Sequence, residues 1–99
     1  MTSHVFSCSR QRAIHITQEV LKELRFVSFH LDNATAQMTA QKGWGFICPP
    51  QHIEIQLHQL GHGIEVAVEC QSNMPALDFG RAQFLEEEVI HRLRERISR

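Results

Sequence analysis

The chain has 99 residues, of which 42% are hydrophobic and 21% charged, a composition typical of a folded domain rather than a disordered chain. This length supports one hydrophobic core, so we predict a single domain over residues 1–99. A formal net charge of −1 gives no long-range attraction to nucleic acid or to an anionic membrane, and no apolar run approaches the roughly 20 residues of a membrane-spanning helix. We therefore expect neither a nucleic-acid nor a membrane partner.

The cysteines predict a reducing compartment. Cys8, Cys48 and Cys70 are odd in number, widely spaced and without a Cys-x-x-Cys pair. Residues 1–4 show neither the basic cluster nor the apolar stretch of a secretion signal. Together these features predict reduced thiols and a cytoplasmic location.

The first third of the chain predicts a short strand followed by an amphipathic helix. Residues 5–8 form the strand candidate, and Ser9 is of the type that caps a helix N-terminus. Over residues 10–24 the apolar side chains recur at helical spacing, which places them on one face. These core-facing residues are Ala13, Ile16, Thr17, Val20, Leu21 and Leu24.

Two segments with alternating apolar and polar residues, 25–31 and 34–41, predict a first hairpin. Asp32 and Asn33 suit a two-residue turn because both residues tolerate positive φ. In this register Phe26 faces outward. The expected pairs are Val27 with Met38 and Phe29 with Ala36.

A second hairpin is predicted over residues 52–70, with its turn at residues 61–62. All its apolar side chains then share one face, and a slip of one residue would send half of them into water. The expected pairs are Ile53 with Cys70, Ile55 with Val68, Leu57 with Val66, and Leu60 with Gly63. The same register sets Glu54 opposite Glu69 and His58 opposite Glu65 on the polar face.

The last element is predicted to be a helix capped by Asp78 and ending near Ile97. Its apolar stripe consists of Ala82, Leu85, Val89, Ile90, Leu93 and Ile97. The predicted fold class is therefore α+β, in the order β-α-β-β-β-β-α. We expect an antiparallel sheet of four or five strands, with both helices packed on one face.

Three groups of side chains are candidates for chemistry. His58 and His62 lie near Glu65 at the hairpin turn, but zinc requires three or four converging ligands. Glu54 and Glu69 could share a proton or await a cationic partner, yet exposed carboxylates rarely perturb each other much. Cys48 precedes two prolines and has no local base to generate a thiolate. We therefore predict no enzyme activity, no cofactor and no metal site.

Two residues of the last helix depart from its pattern. Phe84 projects opposite the apolar stripe, on the same side as His91, whereas Glu86 projects into the stripe. The pattern admits two interpretations: Phe84 anchors a contact with a second copy or another protein, or Phe84 packs on the loop at residues 75–77 while Glu86 reaches water. Trp44, which has a glycine on each side, is a further candidate for a contact surface, or for a lid over the open end of the core.

The leading functional prediction is accordingly a non-catalytic protein-interaction or self-associating domain, with Phe84, Trp44, Glu86 and His91 as its interaction residues. The alternative is a small-molecule or metal-binding module. That module would use a cleft between the sheet and the last helix near Trp44, or the turn that carries His58 and His62.

Overall fold

The computed structural model describes residues 1–32, 34–42, 51–72 and 80–98 of the chain, and these residues form five strands and two helices. In chain order the elements are β1 (Thr2–Phe6), α1 (Arg10–Glu23), β2 (Val27–Asp32), β3 (Gln37–Lys42), β4 (Gln51–Leu60), β5 (Gly63–Ser72) and α2 (Arg81–Ile97). This arrangement confirms the predicted α+β class and the predicted order of elements. Among the described residues, no helix is both long and apolar enough to cross a membrane.

The sheet has the strand order β1-β5-β4-β3-β2, and every neighbouring pair is antiparallel. β1 and β2 are therefore its two edges, and α1 carries the chain from one edge to the other. Both helices contribute to one core that covers a single face of the sheet. The fully buried members of that core include Leu21 from α1, Leu93 from α2 and Val68 from the centre of the sheet.

The register of the β4–β5 hairpin is the predicted one at every expected pair. Ile55 lies opposite Val68, Leu57 opposite Val66, and Leu60 opposite Gly63 across the turn. α1 is also confirmed, because the Ser9 side chain accepts a hydrogen bond from the Arg12 backbone N–H at 3.2 Å. Both elements carry an uninterrupted apolar pattern, which strongly restricts how they can pack.

The register predicted for β2 and β3 is wrong. Leu31, not Val27, pairs with Met38, and Val27 pairs with Gln41 on the outer face. The two-residue turn does not form, because the Asp32 carboxylate accepts hydrogen bonds from the backbone N–H groups of Ala34 and Thr35 and holds a longer loop.

A bulge at Ser28 (φ 58°) separates the two ends of β2. The extra residue reverses the alternation on the Phe26 side of the bulge. Phe26 is consequently buried and Val27 exposed, the opposite of the prediction.

The boundaries of two elements also differ from the prediction. β1 occupies Thr2–Phe6 rather than residues 5–8, since Phe6 is the residue that enters the core opposite Ile64. α2 begins at Arg81, and the residue at its N-cap is Gly80 (φ 78°). The predicted cap, Asp78, lies outside the described residues.

Candidate functional site

The candidate site is the part of α2 that carries both exceptions to its apolar pattern. α2 packs on β5, β1 and α1 through a buried stripe that includes Leu85, Val89 and Leu93. With 3.6 residues per turn, Phe84 projects on the side opposite that stripe, and Glu86 projects toward the sheet. The helix therefore presents a clear inner and outer face.

Glu86 is only 5% exposed, and its carboxylate is satisfied by internal partners. Its Oε2 accepts a hydrogen bond from the Cys70 backbone N–H at 2.8 Å, and its Oε1 accepts one from the Thr2 hydroxyl at 2.9 Å. The α-ammonium group of Met1 lies 3.3 Å from the same Oε1. The prediction that Glu86 enters the stripe is confirmed, and the alternative in which it reaches water is wrong.

The position of Glu86 follows from the length of β1. The pairing of β1 with β5 extends only as far as Thr2 and Val68, and Cys70 lies two residues farther along β5. Glu86 supplies an acceptor at a point of β5 that β1 does not reach. A buried carboxylate requires such donors, because an unpaired one would be strongly destabilising. Its contacts thus stabilise the junction of β1, β5 and α2.

Phe84 is 55% exposed, on the outer face of α2. We use "outer face of α2" for Phe84, Glu88, His91 and Glu95, which recur at intervals of three or four residues. Trp44 and the loop at residues 75–77 lie outside the described residues, so the second interpretation of Phe84 stays untested.

Two side-chain pairs follow Phe84 along α2 toward its C-terminus. His91 Nε2 lies 3.0 Å from Glu95 Oε1, and Arg92 Nε donates to Glu88 Oε1 at 2.8 Å. That hydrogen bond raises the pKa of Arg92 further above its ordinary value. An open recess of about 310 Å³ lies between α2 and the end of α1, lined by Glu23, Glu88, His91, Arg92, Glu95 and Arg96.

The charges of this recess already have partners within the chain. Arg96 Nη1 donates to Glu19 Oε2 on α1 at 2.9 Å, and its other terminal nitrogen forms an ion pair with Glu23. The ion pairs of Arg96 therefore link α2 to α1. Its outer rim, at His91 and Glu95, is continuous with the outer face of α2.

The residues considered for metal or acid–base chemistry remain dispersed. His58 does lie opposite Glu65, but the described residues contain no group of three or more side chains that could hold a metal ion. Glu54 does face Glu69, with His52 Nε2 at 3.6 Å from Glu54 Oε1, on the open face of the sheet. These pairs match the predicted register without forming an enclosed site.

The cysteines offer no activated thiol among the described residues. Burial raises the pKa of Cys8, and the positive charge of Arg12 offsets only part of that effect. A raised pKa reduces the thiolate fraction and hence the nucleophilicity of the sulfur. Cys70 is buried in the core, and Cys48 lies outside the described residues.

Sequence reasoning missed the side of α2 that lies beside β1. Glu87 and Arg94 are exposed there, seven residues apart and of opposite sign. Their spacing puts them on one side of a helix, a signal visible in the sequence. What the sequence did not reveal was β1 as the neighbouring edge, because the strand was predicted too late in the chain.

Comparison with known proteins assigns the chain to no family. No protein-family model matches it, and no curated protein matches it at a significant level. Residue contacts, burial and charge are thus the basis for a functional proposal.

Proposed function

We propose that this domain is a non-catalytic protein-interaction module that contacts a protein partner through the outer face of α2. The proposal is carried by Phe84, whose ring is 55% exposed on a helix whose other large apolar residues point inward. Covering that ring would contribute about 1 to 1.5 kcal/mol, roughly half the value for burying a whole phenylalanine. Aromatic residues are frequent anchors of protein interfaces.

The surroundings of Phe84 support the same proposal. Protein interfaces commonly have an apolar centre and a charged or polar rim. The His91–Glu95 pair, about two to three turns away along the helix, supplies such a rim. Glu86 is not part of this surface, because its contacts face the sheet.

A non-catalytic role is favoured by the described side chains that could take part in chemistry. The facing carboxylates of Glu54 and Glu69 lie on an open sheet surface, and the Cys8 thiol has a raised pKa. The three cysteines of the chain are odd in number and widely spaced, which suits a reducing compartment such as the cytoplasm.

Site-specific photo-crosslinking in the cells of origin tests this proposal. A benzophenone amino acid at position 84 should yield a discrete protein adduct, identified by mass spectrometry as another protein or a second copy. The same probe at Lys22, exposed on α1, is the matched control. Absence of an adduct at position 84, or the same adducts at both positions, would contradict the proposal.

A probe at a second position is needed to test whether Phe84 anchors the contact, because the probe at position 84 replaces Phe84 itself. With the probe at position 91 instead, Phe84→Ser should lower the yield of the adduct several-fold, because the anchor is lost while the reporter remains. An unchanged yield would show that the contact does not depend on Phe84.

A further inference from the structure

Among the described residues, β1 has a strand on one side only, so its other side is an open edge of the sheet. Its three central residues, Ser3, His4 and Val5, are all exposed, and Val5 keeps 39% of its surface accessible. The strand contains no lysine or proline, and its pairing with β5 runs without a bulge. Natural sheets use those devices to prevent pairing between edges. The opposite edge differs, since β2 is interrupted by the bulge at Ser28.

Two oppositely charged residues, Glu87 and Arg94, lie on the side of α2 nearest this edge. Arg96 reaches Glu19 and Glu23, so it marks the side of α2 that faces α1. At 100° per residue, Glu87 and Arg94 lie within about 20° of each other and roughly 160–180° away from Arg96. We call this pair the β1 side of α2, because it faces away from α1 on a helix that packs against β1.

The two charges on the β1 side lack strong partners among the residues that the structure describes. Arg92 and Arg96 both form ion pairs, whereas Arg94 forms none with the described residues. Glu87 accepts a long hydrogen bond from Gln83 Nε2 at 3.5 Å and forms no ion pair with the described residues. Both charges are exposed and therefore accessible to a partner.

Along the direction of β1, Glu87 and Arg94 lie at about equal distances on either side of His4. A two-fold axis through His4 requires this arrangement. α2 begins at the end of β5 and packs back across β5 and β1, so it runs in the same direction as β1, with Glu86 level with Thr2. From Thr2 to His4 the strand advances about 6.6 Å, which equals between four and five residues of helix. His4 is thus level with residue 90 or 91, midway between Glu87 and Arg94.

We infer that the β1 edge and the β1 side of α2 bind a second copy of this chain. The two β1 strands would pair antiparallel about His4, which joins the two sheets into one. The same symmetry sets Glu87 of each copy level with Arg94 of the other, so the interface is complementary to itself in charge. Strands about 4.8 Å apart place the two α2 helices roughly 10–14 Å from each other, within reach of long charged side chains. This surface is separate from Phe84.

The first test blocks the edge strand without disturbing the fold. The chain should have twice its 11.4 kDa mass by size-exclusion chromatography with light scattering at about 200 µM, and a lower average mass at about 10 µM. Val5→Lys should make it monomeric, because a lysine guards the edge. Since Val5 pairs with Glu65, the introduced lysine faces a carboxylate in its own copy and the fold is retained. Circular dichroism checks that retention.

The second test reverses charges. Glu87→Arg or Arg94→Glu alone should raise the dimer Kd about tenfold, because each replaces two attractive pairs by two repulsive ones. The double variant should restore the wild-type Kd. Lys22→Glu, an equal charge change on α1, should leave the Kd unchanged.

Two outcomes would overturn the inference. One is a wild-type chain that stays monomeric at about 200 µM; this result would leave the edge open to an extended segment of another protein. The other is a dimer that withstands Val5→Lys and both charge reversals. Phe84→Ser should not change the mass, so a dimer lost only in that variant would place self-association on the outer face of α2 and contradict the role of β1.

Discussion

The inner and outer faces of α2 each carry one exception to the apolar pattern, and the two exceptions have different physical explanations. Glu86, on the inner face, accepts hydrogen bonds from Cys70 and Thr2 and lies beside the Met1 ammonium group. Phe84, on the outer face, remains 55% exposed. An exception that internal contacts satisfy serves stability. An exception left exposed to solvent is where a partner is to be sought.

A residue that departs from the sequence pattern can stabilise the fold or bind a partner. A charged residue in a buried stripe looks functional in the sequence, because burying a carboxylate is costly. In the structure, that carboxylate accepts a hydrogen bond from the Cys70 N–H of β5, at a point beyond the end of the β1–β5 pairing.

Glu86→Ala should have the largest effect, lowering the free energy of unfolding by about 3 kcal/mol. The substitution leaves the Cys70 N–H buried without its acceptor and removes the partner of the Thr2 hydroxyl. Glu86→Gln keeps a carbonyl oxygen for Cys70 but turns an NH2 donor toward the Thr2 hydroxyl and the Met1 ammonium group, so an intermediate loss of about 2 kcal/mol is expected. Urea unfolding followed by circular dichroism measures both variants.

The matched control is Lys22→Ala, at an exposed position on α1 that belongs to neither proposed contact surface. It should change the free energy of unfolding by no more than about 0.5 kcal/mol. If Glu86→Ala costs no more than this control, the inner-face explanation fails, and Glu86 would have to be reconsidered as an interaction residue.

Gly63→Ala tests the opposite end of the β1–β5 pairing and should cost about 2 kcal/mol. A Cβ at Gly63 would lie 2.5 Å from the Phe6 carbonyl oxygen, so β1 must move away from β5. Gly61→Ala, in the adjacent turn, meets nothing within 4 Å and should be close to neutral. Thermal or urea unfolding compares the two; equal effects would mean that β1 is not held by this close approach.

The parts of the fold that were predictable from the sequence share one property. In the β4–β5 hairpin, the alternation is continuous on both strands, so a slip of one residue would expose half of the apolar side chains. In the β2–β3 hairpin, the side chain of Asp32 and the bulge at Ser28 decide the register. Those are local hydrogen-bonding and backbone effects, and apolar alternation does not report them.

The candidate site was also predictable only in part. Helical spacing is enough to place Phe84 outside and Glu86 inside, and both placements are observed. The partners of Glu86 were not predictable, because Thr2 is 84 residues away in the sequence and its strand had been assigned to residues 5–8. Tertiary contacts of that kind appear only once the strand order is known.

Phe84→Ser should have the smallest effect on stability and the clearest effect on binding. Because the ring is 55% exposed, its loss should change the free energy of unfolding by no more than about 0.5 kcal/mol in urea. The adjacent Leu85→Ser is the control for the inner face; it removes a buried side chain and should cost about 3 kcal/mol or more. A loss above about 1 kcal/mol for Phe84→Ser would mean that the ring packs within its own chain. Its exposure could then no longer support a partner contact, and the outer face of α2 would lose its anchor.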